Sequence, residues 1–102
     1  MKITIDDKTI YSVFATDFEI VWRIEDFPYV LSYLQKMNKV VLGGDILNHK
    51  MQHIYDNWYY NVNKNIDYQA NVEISLKLAA DYLEKYIIKN GNCFYIVFIV
   101  DD

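Results

Sequence analysis

Apolar and polar residues alternate at the start of the chain. Ile3 and Ile5 lie between Lys2, Thr4 and Asp6, the period of two that marks a short strand. Thr9 to Ala15 carries Ile10, Val13 and Phe14 at helical spacing and predicts a brief helix. Phe18, Ile20, Trp22 and Ile24 then alternate with Glu19, Arg23 and Glu25, which predicts a second strand. A helix follows. Pro28 suits the first helical position, and Asp26 stands where a carboxylate can meet free N–H groups. Phe27, Val30, Leu31, Leu34 and Met37 share one apolar face, and Asn38 and Lys39 end the helix.

Val40 to Leu47 reads as a strand, Asn48 to Met51 as a turn, and Gln52 to Tyr60 as the returning strand of a hairpin. The stretch from Asn61 to Asn71 is polar and rich in asparagine, so it reads as a loop. A long helix is predicted from Asn71, as its cap, to Asn90, with Gly91 as the stop. Its inward face carries Leu76, Ala79, Leu83, Tyr86 and Ile87. Phe94 to Val100 is apolar on both faces, as in a central strand covered on each side. Strands and helices mix without strict alternation. The predicted fold class is therefore α+β: one small domain over residues 1–102, with a mixed or antiparallel sheet packed against two main helices.

Composition narrows the function classes. With 53% hydrophobic and 24% charged residues, the 102-residue chain is a folded globule of one core rather than a disordered segment. Aromatics reach 17%, mostly through ten tyrosines, and tyrosine serves half-buried positions and contact surfaces. A net charge of −4 argues against a nucleic-acid partner and fits a partner with a basic surface. One cysteine, Cys93, rules out an internal disulfide framework. No basic start leads into an apolar stretch of signal-peptide length, and the longest apolar run, Cys93 to Val100, is too short to span a bilayer. The expected location is cytoplasmic, without a membrane partner.

Two stretches stand out. "VVLGGDIL", Val40 to Leu47, sets two of the three glycines side by side in an apolar run. A phosphate loop needs a glycine-rich turn from strand into helix, often with Lys and Ser/Thr, and none follows here. A Gly-Gly-Asp-Glu-Phe cyclase hairpin does not fit either, because this chain reads Gly-Gly-Asp-Ile-Leu and is too short. The remaining reading is a bulge, or a site where an aromatic from a neighbouring strand lies over the glycine backbone, with Asp45 re-aimed outwards. "YDNWYY", Tyr55 to Tyr60, places Tyr55, Asn57 and Tyr59 on one strand face and Asp56, Trp58 and Tyr60 on the other. Such a strand is either buried on both sides or presents an aromatic contact patch with an acid attached. Asp45, His49 and His53 would align as metal ligands only on a helix, which the glycines oppose, so no metal or other cofactor is expected. Cys93 opens an apolar strand with no base beside it in sequence and reads as a packed thiol. No catalytic set is found, and the chain is expected not to be an enzyme.

The order of these motifs carries a resemblance. A tryptophan precedes an amphipathic helix; then come "VVLGGDIL", "YDNWYY" and a helix containing "SLKLAADYLEKY" from Ser75, closed by an apolar strand. From Trp22 to Val100 this resembles the immunity protein 40 family of bacterial polymorphic toxin systems. The family's patterned positions fall here on Trp22, Gly43, Gly44, Asp45, Asp56, Asn57, Trp58, Tyr59 and Ser75. The resemblance implies a non-enzymatic protein that binds the C-terminal toxic domain of a toxin encoded beside it. The expected contact residues are Asp45, Asp56, Tyr59 and Tyr60; Trp22, Gly43, Gly44 and Trp58 are expected to hold the fold. Against this stand two other classes: a small metal-dependent enzyme built on Asp45, His49 and His53, and a general regulatory interaction domain.

Overall fold

The computed structural model describes residues 1–101. Strands β1 (Lys2–Ile5) and β2 (Lys8–Tyr11) form a separate antiparallel hairpin. The main sheet has five antiparallel strands in the order β3 (Phe14–Ala15), β4 (Ile20–Arg23), β7 (Tyr95–Val100), β5 (Val41–Leu47) and β6 (His53–Tyr59). Two helices, α1 (Phe27–Lys36) and α2 (Tyr68–Asn90), pack together and cover one face of that sheet. The architecture is α+β, with an antiparallel sheet.

The brief helix expected over Thr9–Ala15 is replaced by β2 and β3. Asp6 and Asp7 both take positive φ, 49° and 65°, and this tight turn folds Lys8–Tyr11 back onto β1. Ile10 then sits opposite Ile3, and both are buried. Spacing alone mistook a hairpin for a helix because Ile10 and Phe14 belong to different strands. The second expected strand shortens to Ile20–Arg23. Phe18 falls in the β3–β4 turn, where the Thr16 hydroxyl accepts from the N–H groups of Phe18 and Glu19 at 3.2 and 3.0 Å. Ile24–Asp26 forms a short 3-10 turn leading into α1.

Helix α1 starts at Phe27 with Pro28 in its first turn, and Phe27, Val30 and Leu31 are buried. Asp26 is its cap residue by position but makes no side-chain cap bond, contrary to the expected role of its carboxylate. Helix α2 begins three residues before the expected cap. Asp67 is the true cap, its carboxylate accepting from the Ala70 N–H at 2.7 Å. Asn71 is instead buried inside the helix. Its amide donates to the carbonyls of Asn63 and Asp67 at 2.9 and 3.0 Å, and its oxygen accepts from the Asn63 N–H at 2.8 Å and from the Tyr60 hydroxyl. A polar residue that caps in the sequence pattern thus clamps the β6–α2 connection in the fold.

Ser75, a turn further along α2, has a comparable role. Its hydroxyl donates to the Val72 carbonyl and accepts from the Val41 N–H, both at 2.9 Å, with Ser75 and Val41 fully buried. Alanine at Ser75 leaves that N–H without a partner, so the expected loss is about 1–3 kcal/mol. Urea denaturation is expected to show a lower midpoint at unchanged slope. A wild-type midpoint would mean that Val41 finds another acceptor.

Strand β7 is central, as its sequence implies, but its two faces differ. Ile96 and Phe98 point to the helices and join the main core with Trp22, Ile46 and Trp58. On the other face Val97 is shielded by Val21, Leu47 and Val13, while Ile99 is 47% exposed. Cover on that face is partial, not complete.

Candidate functional site

Antiparallel register places the chemistry of β5 and β6. Gly43 pairs with Tyr59, Gly44 with Trp58 and Asp45 with Asn57. After Asp45 the register jumps, so Leu47 faces His53, and Tyr55 in the irregular stretch has a φ of 65°. Alternation then sorts the side chains. Trp58 turns to the helices and stacks obliquely on Tyr82, ring centroids 4.9 Å apart. The same face carries Asp56, whose carboxylate accepts from the Tyr86 hydroxyl at 2.7 Å. Tyr60 also turns towards α2 and donates to Asn71. Asp45, Asn57 and Tyr59 occupy the opposite, open face.

The two glycines admit this packing. A Cβ on Gly44 would run into the Trp58 indole, with Cζ3 at 2.7 Å and the Val97 carbonyl oxygen at 2.9 Å. One on Gly43 would meet the Trp58 carbonyl oxygen, with Tyr59 Cα at 3.1 Å. The six-membered ring of the indole therefore occupies the space a side chain at Gly44 would need. The Trp58 N–H is buried without a hydrogen-bond partner among the described residues, so ring area against Gly44 is what this position uses.

Burial pushes the Tyr86 phenol well above its ordinary range, reinforced by the hydrogen bond to Asp56 and by that carboxylate's charge. Tyr82 is raised for the same leading reason, with Asp56 second. Both phenols are neutral at ordinary pH, and the Asp56–Tyr86 bond ties β6 to α2 across 30 residues of sequence as a charge-assisted link.

The open face is a mixed surface. Phe14, Val21, Val97, Asp45 and Asn57 form one cross-strand row, and Ile99, Gly43 and Tyr59 form the next. Tyr59 is 74% exposed. Glu19 reaches His53 at 3.7 Å, joining the β3–β4 turn to the start of β6. At the tip of that turn Phe18 is 94% exposed. A recess of about 560 Å³ at this end of the sheet has Phe18, Asp45, Val97 and Ile99 in its walls together with Val30, Tyr33 and Leu34 of α1, so it is not confined to the open face.

The four expected contact residues are thus divided: Asp45 and Tyr59 on the open face, Asp56 and Tyr60 on the helix side. Sequence reasoning missed Phe18 and Ile99 as exposed apolar groups. Thr16-Asp17 is a turn signal that moves Phe18 out of a strand; nothing local marks Ile99 as uncovered. Trp22 is buried in the core beside Ile96. Among the described residues no group of three or more His, Cys, Asp or Glu side chains is arranged to hold a metal ion. Cys93 is exposed rather than packed, since it precedes β7 instead of lying in it. Among the described residues no helix is long and apolar enough to cross a membrane.

An α+β domain with an aromatic, acidic strand hairpin and a half-covered sheet face has the make-up of a protein-binding module. The sequence model of the family described as Immunity protein 40 matches residues 12–100, so the chain belongs to the immunity protein 40 family. The match begins ten residues before the resemblance seen from Trp22. Comparisons with curated proteins and with solved structures returned no match. Family membership supports an immunity role and implies a toxin as partner.

Proposed function

We propose that this chain neutralises its cognate toxin by binding the toxic domain and occluding it, with the open sheet face as the contact surface. The observation that carries this reading is Asp45. Its carboxylate stands half-buried in the middle of the sheet face between Val97 and Asn57, and no ion pair engages it among the described residues. A half-buried carboxylate set between Val97 and an amide, and left without a cation, suits a Lys or Arg brought by a partner. Tyr59, two residues from Asn57 on the same face, supplies the aromatic anchor. Asp56 adds charge at the rim. Tyr60, whose hydroxyl is held by Asn71, supports the surface from beneath. No enzymatic step is needed for this role.

The test is surface plasmon resonance against the purified toxin domain encoded by the neighbouring gene. Asp45→Asn is expected to slow association several-fold, and added salt to do the same, because exposed charges are screened over about 8–10 Å at ordinary ionic strength. Tyr59→Ala is expected to speed release about thirtyfold, the equivalent of about 2 kcal/mol at an aromatic anchor. Full affinity in a folded Asp45→Asn, Tyr59→Ala double variant would move the interface off this face.

A further inference from the structure

The main sheet has two edges, and they are unequal. β3 offers two residues, whereas β6 runs for seven. The Tyr60 N–H donates to the Leu42 carbonyl at 2.7 Å, which fixes the phase of the β5–β6 ladder. By alternation the main chains of Trp58 and Tyr60 face β5, while the N–H and C=O groups of Asn57 and Tyr59 face outwards. Strand edges are commonly blunted by lysine, proline or a bulge. Here no Pro, Lys or Arg occurs from Met51 to Asn63, and the irregularity at Tyr55 leaves the following residues regular. Tyr55, at 90% exposure, and Tyr59 flank this free segment without covering it.

The charge beside the edge indicates what fits. β5 and β6 hold two carboxylates, Asp45 and Asp56, and no Lys or Arg. The ion pairs found among the described residues engage Asp6 and Glu19 instead. One carboxylate lies on each face of the sheet, Asp56 on the edge strand itself and Asp45 one strand in, opposite Asn57. An extended segment docking there would alternate its side chains between those two faces. A second copy of this chain would bring the same acids against each other, each copy at a net charge of −4.

We propose that a basic, extended segment of the toxin domain adds to the outer edge of β6 as a sixth strand. Its main chain pairs with the N–H and C=O groups of Asn57 and Tyr59, and its Lys or Arg side chains meet Asp56 on one face and Asp45 on the other. This deepens the binding reading above and rests on it.

Amide hydrogen exchange, followed by NMR on the isotope-labelled chain, tests the idea without any substitution. In the chain alone, the Asn57 and Tyr59 amides are expected to exchange fast and those of Trp58 and Tyr60 slowly. With the purified toxin domain of the neighbouring gene in saturating amount, Asn57 and Tyr59 are expected to slow by about a hundredfold or more. Sedimentation of the same samples separates the two readings. A complex in which both amides keep their fast exchange overturns strand addition and leaves toxin binding standing. Absence of any complex overturns toxin binding, and strand addition with it. Slow exchange in the chain alone, at a sedimenting mass of two copies, assigns the edge to self-pairing and overturns the proposal.

Discussion

Valine at Gly44 is expected to lower stability by about 3 kcal/mol and the melting temperature by about 15 °C. The reason is the Trp58 indole, which rests where the new side chain would go, with the Val97 carbonyl closing the other way out. Trp58 is itself packed against Tyr82 and Phe98, ring centroids 4.9 and 6.1 Å away, and cannot swing aside freely. Gly43→Ala is expected to be at least as harmful, because its obstacle is the main chain of Trp58 and Tyr59 rather than a side chain. A double variant checks the cause. With Trp58 shortened to leucine, Gly44→Ala is expected to cost less than in the wild type, a coupling of about 1 kcal/mol or more. Thermal denaturation decides it: an unchanged melting temperature for Gly44→Val, or strict additivity in the double variant, defeats the close-packing explanation.

Alanine at Asn71 is expected to cost about 3 kcal/mol, a large effect for one polar residue. Its side chain joins Tyr60 at the end of β6, Asn63 in the connection and Asp67 at the start of α2. Removing it strands a part-buried hydroxyl and the Asn63 main chain together. Asn71→Asp keeps the acceptor but turns a carboxylate towards two carbonyl oxygens, so it is expected to fare no better than alanine. Chemical denaturation gives the magnitude, and amide exchange at Asn63 gives the location. If Asn63 stays as protected in Asn71→Ala as in the wild type, the clamp is not what holds the connection.

Much of the fold was legible where local and global preferences agree. The β5–β6 hairpin, α1 with its Pro28 start, α2 with its Gly91 stop and the central place of β7 all follow from periodicity and turn chemistry. The glycine pair was legible for the same reason: a strand tolerates two adjacent glycines when something lies over them, and Trp58 does. The failures have physical sources. Asp6 and Asp7 adopt the left-handed backbone that converts an apparent helix into a hairpin, and their sequence alone carries no such mark. Asn71 suits a helix cap by chemistry, and only tertiary contacts with Tyr60 and Asn63 draw it inside. For the candidate site, alternation correctly separated Tyr59 from Asp56. Which face the helices cover is a property of the whole chain, so the sequence could not say which of the two groups stays open.

The β1–β2 hairpin closes at Tyr11, and the family match opens at residue 12. The matched span thus takes in the five-stranded sheet with its two helices, while the hairpin lies outside it as an accessory laid against α1. Ile3 and Ile10 nevertheless sit in the same buried cluster as Phe27, Val30 and Leu31. The accessory has been absorbed into the core rather than tethered beside it. A relative without it must dress that flank of α1 in polar side chains, or shelter it with some other piece of chain. Sequence drift along α1 should therefore track the presence of the hairpin.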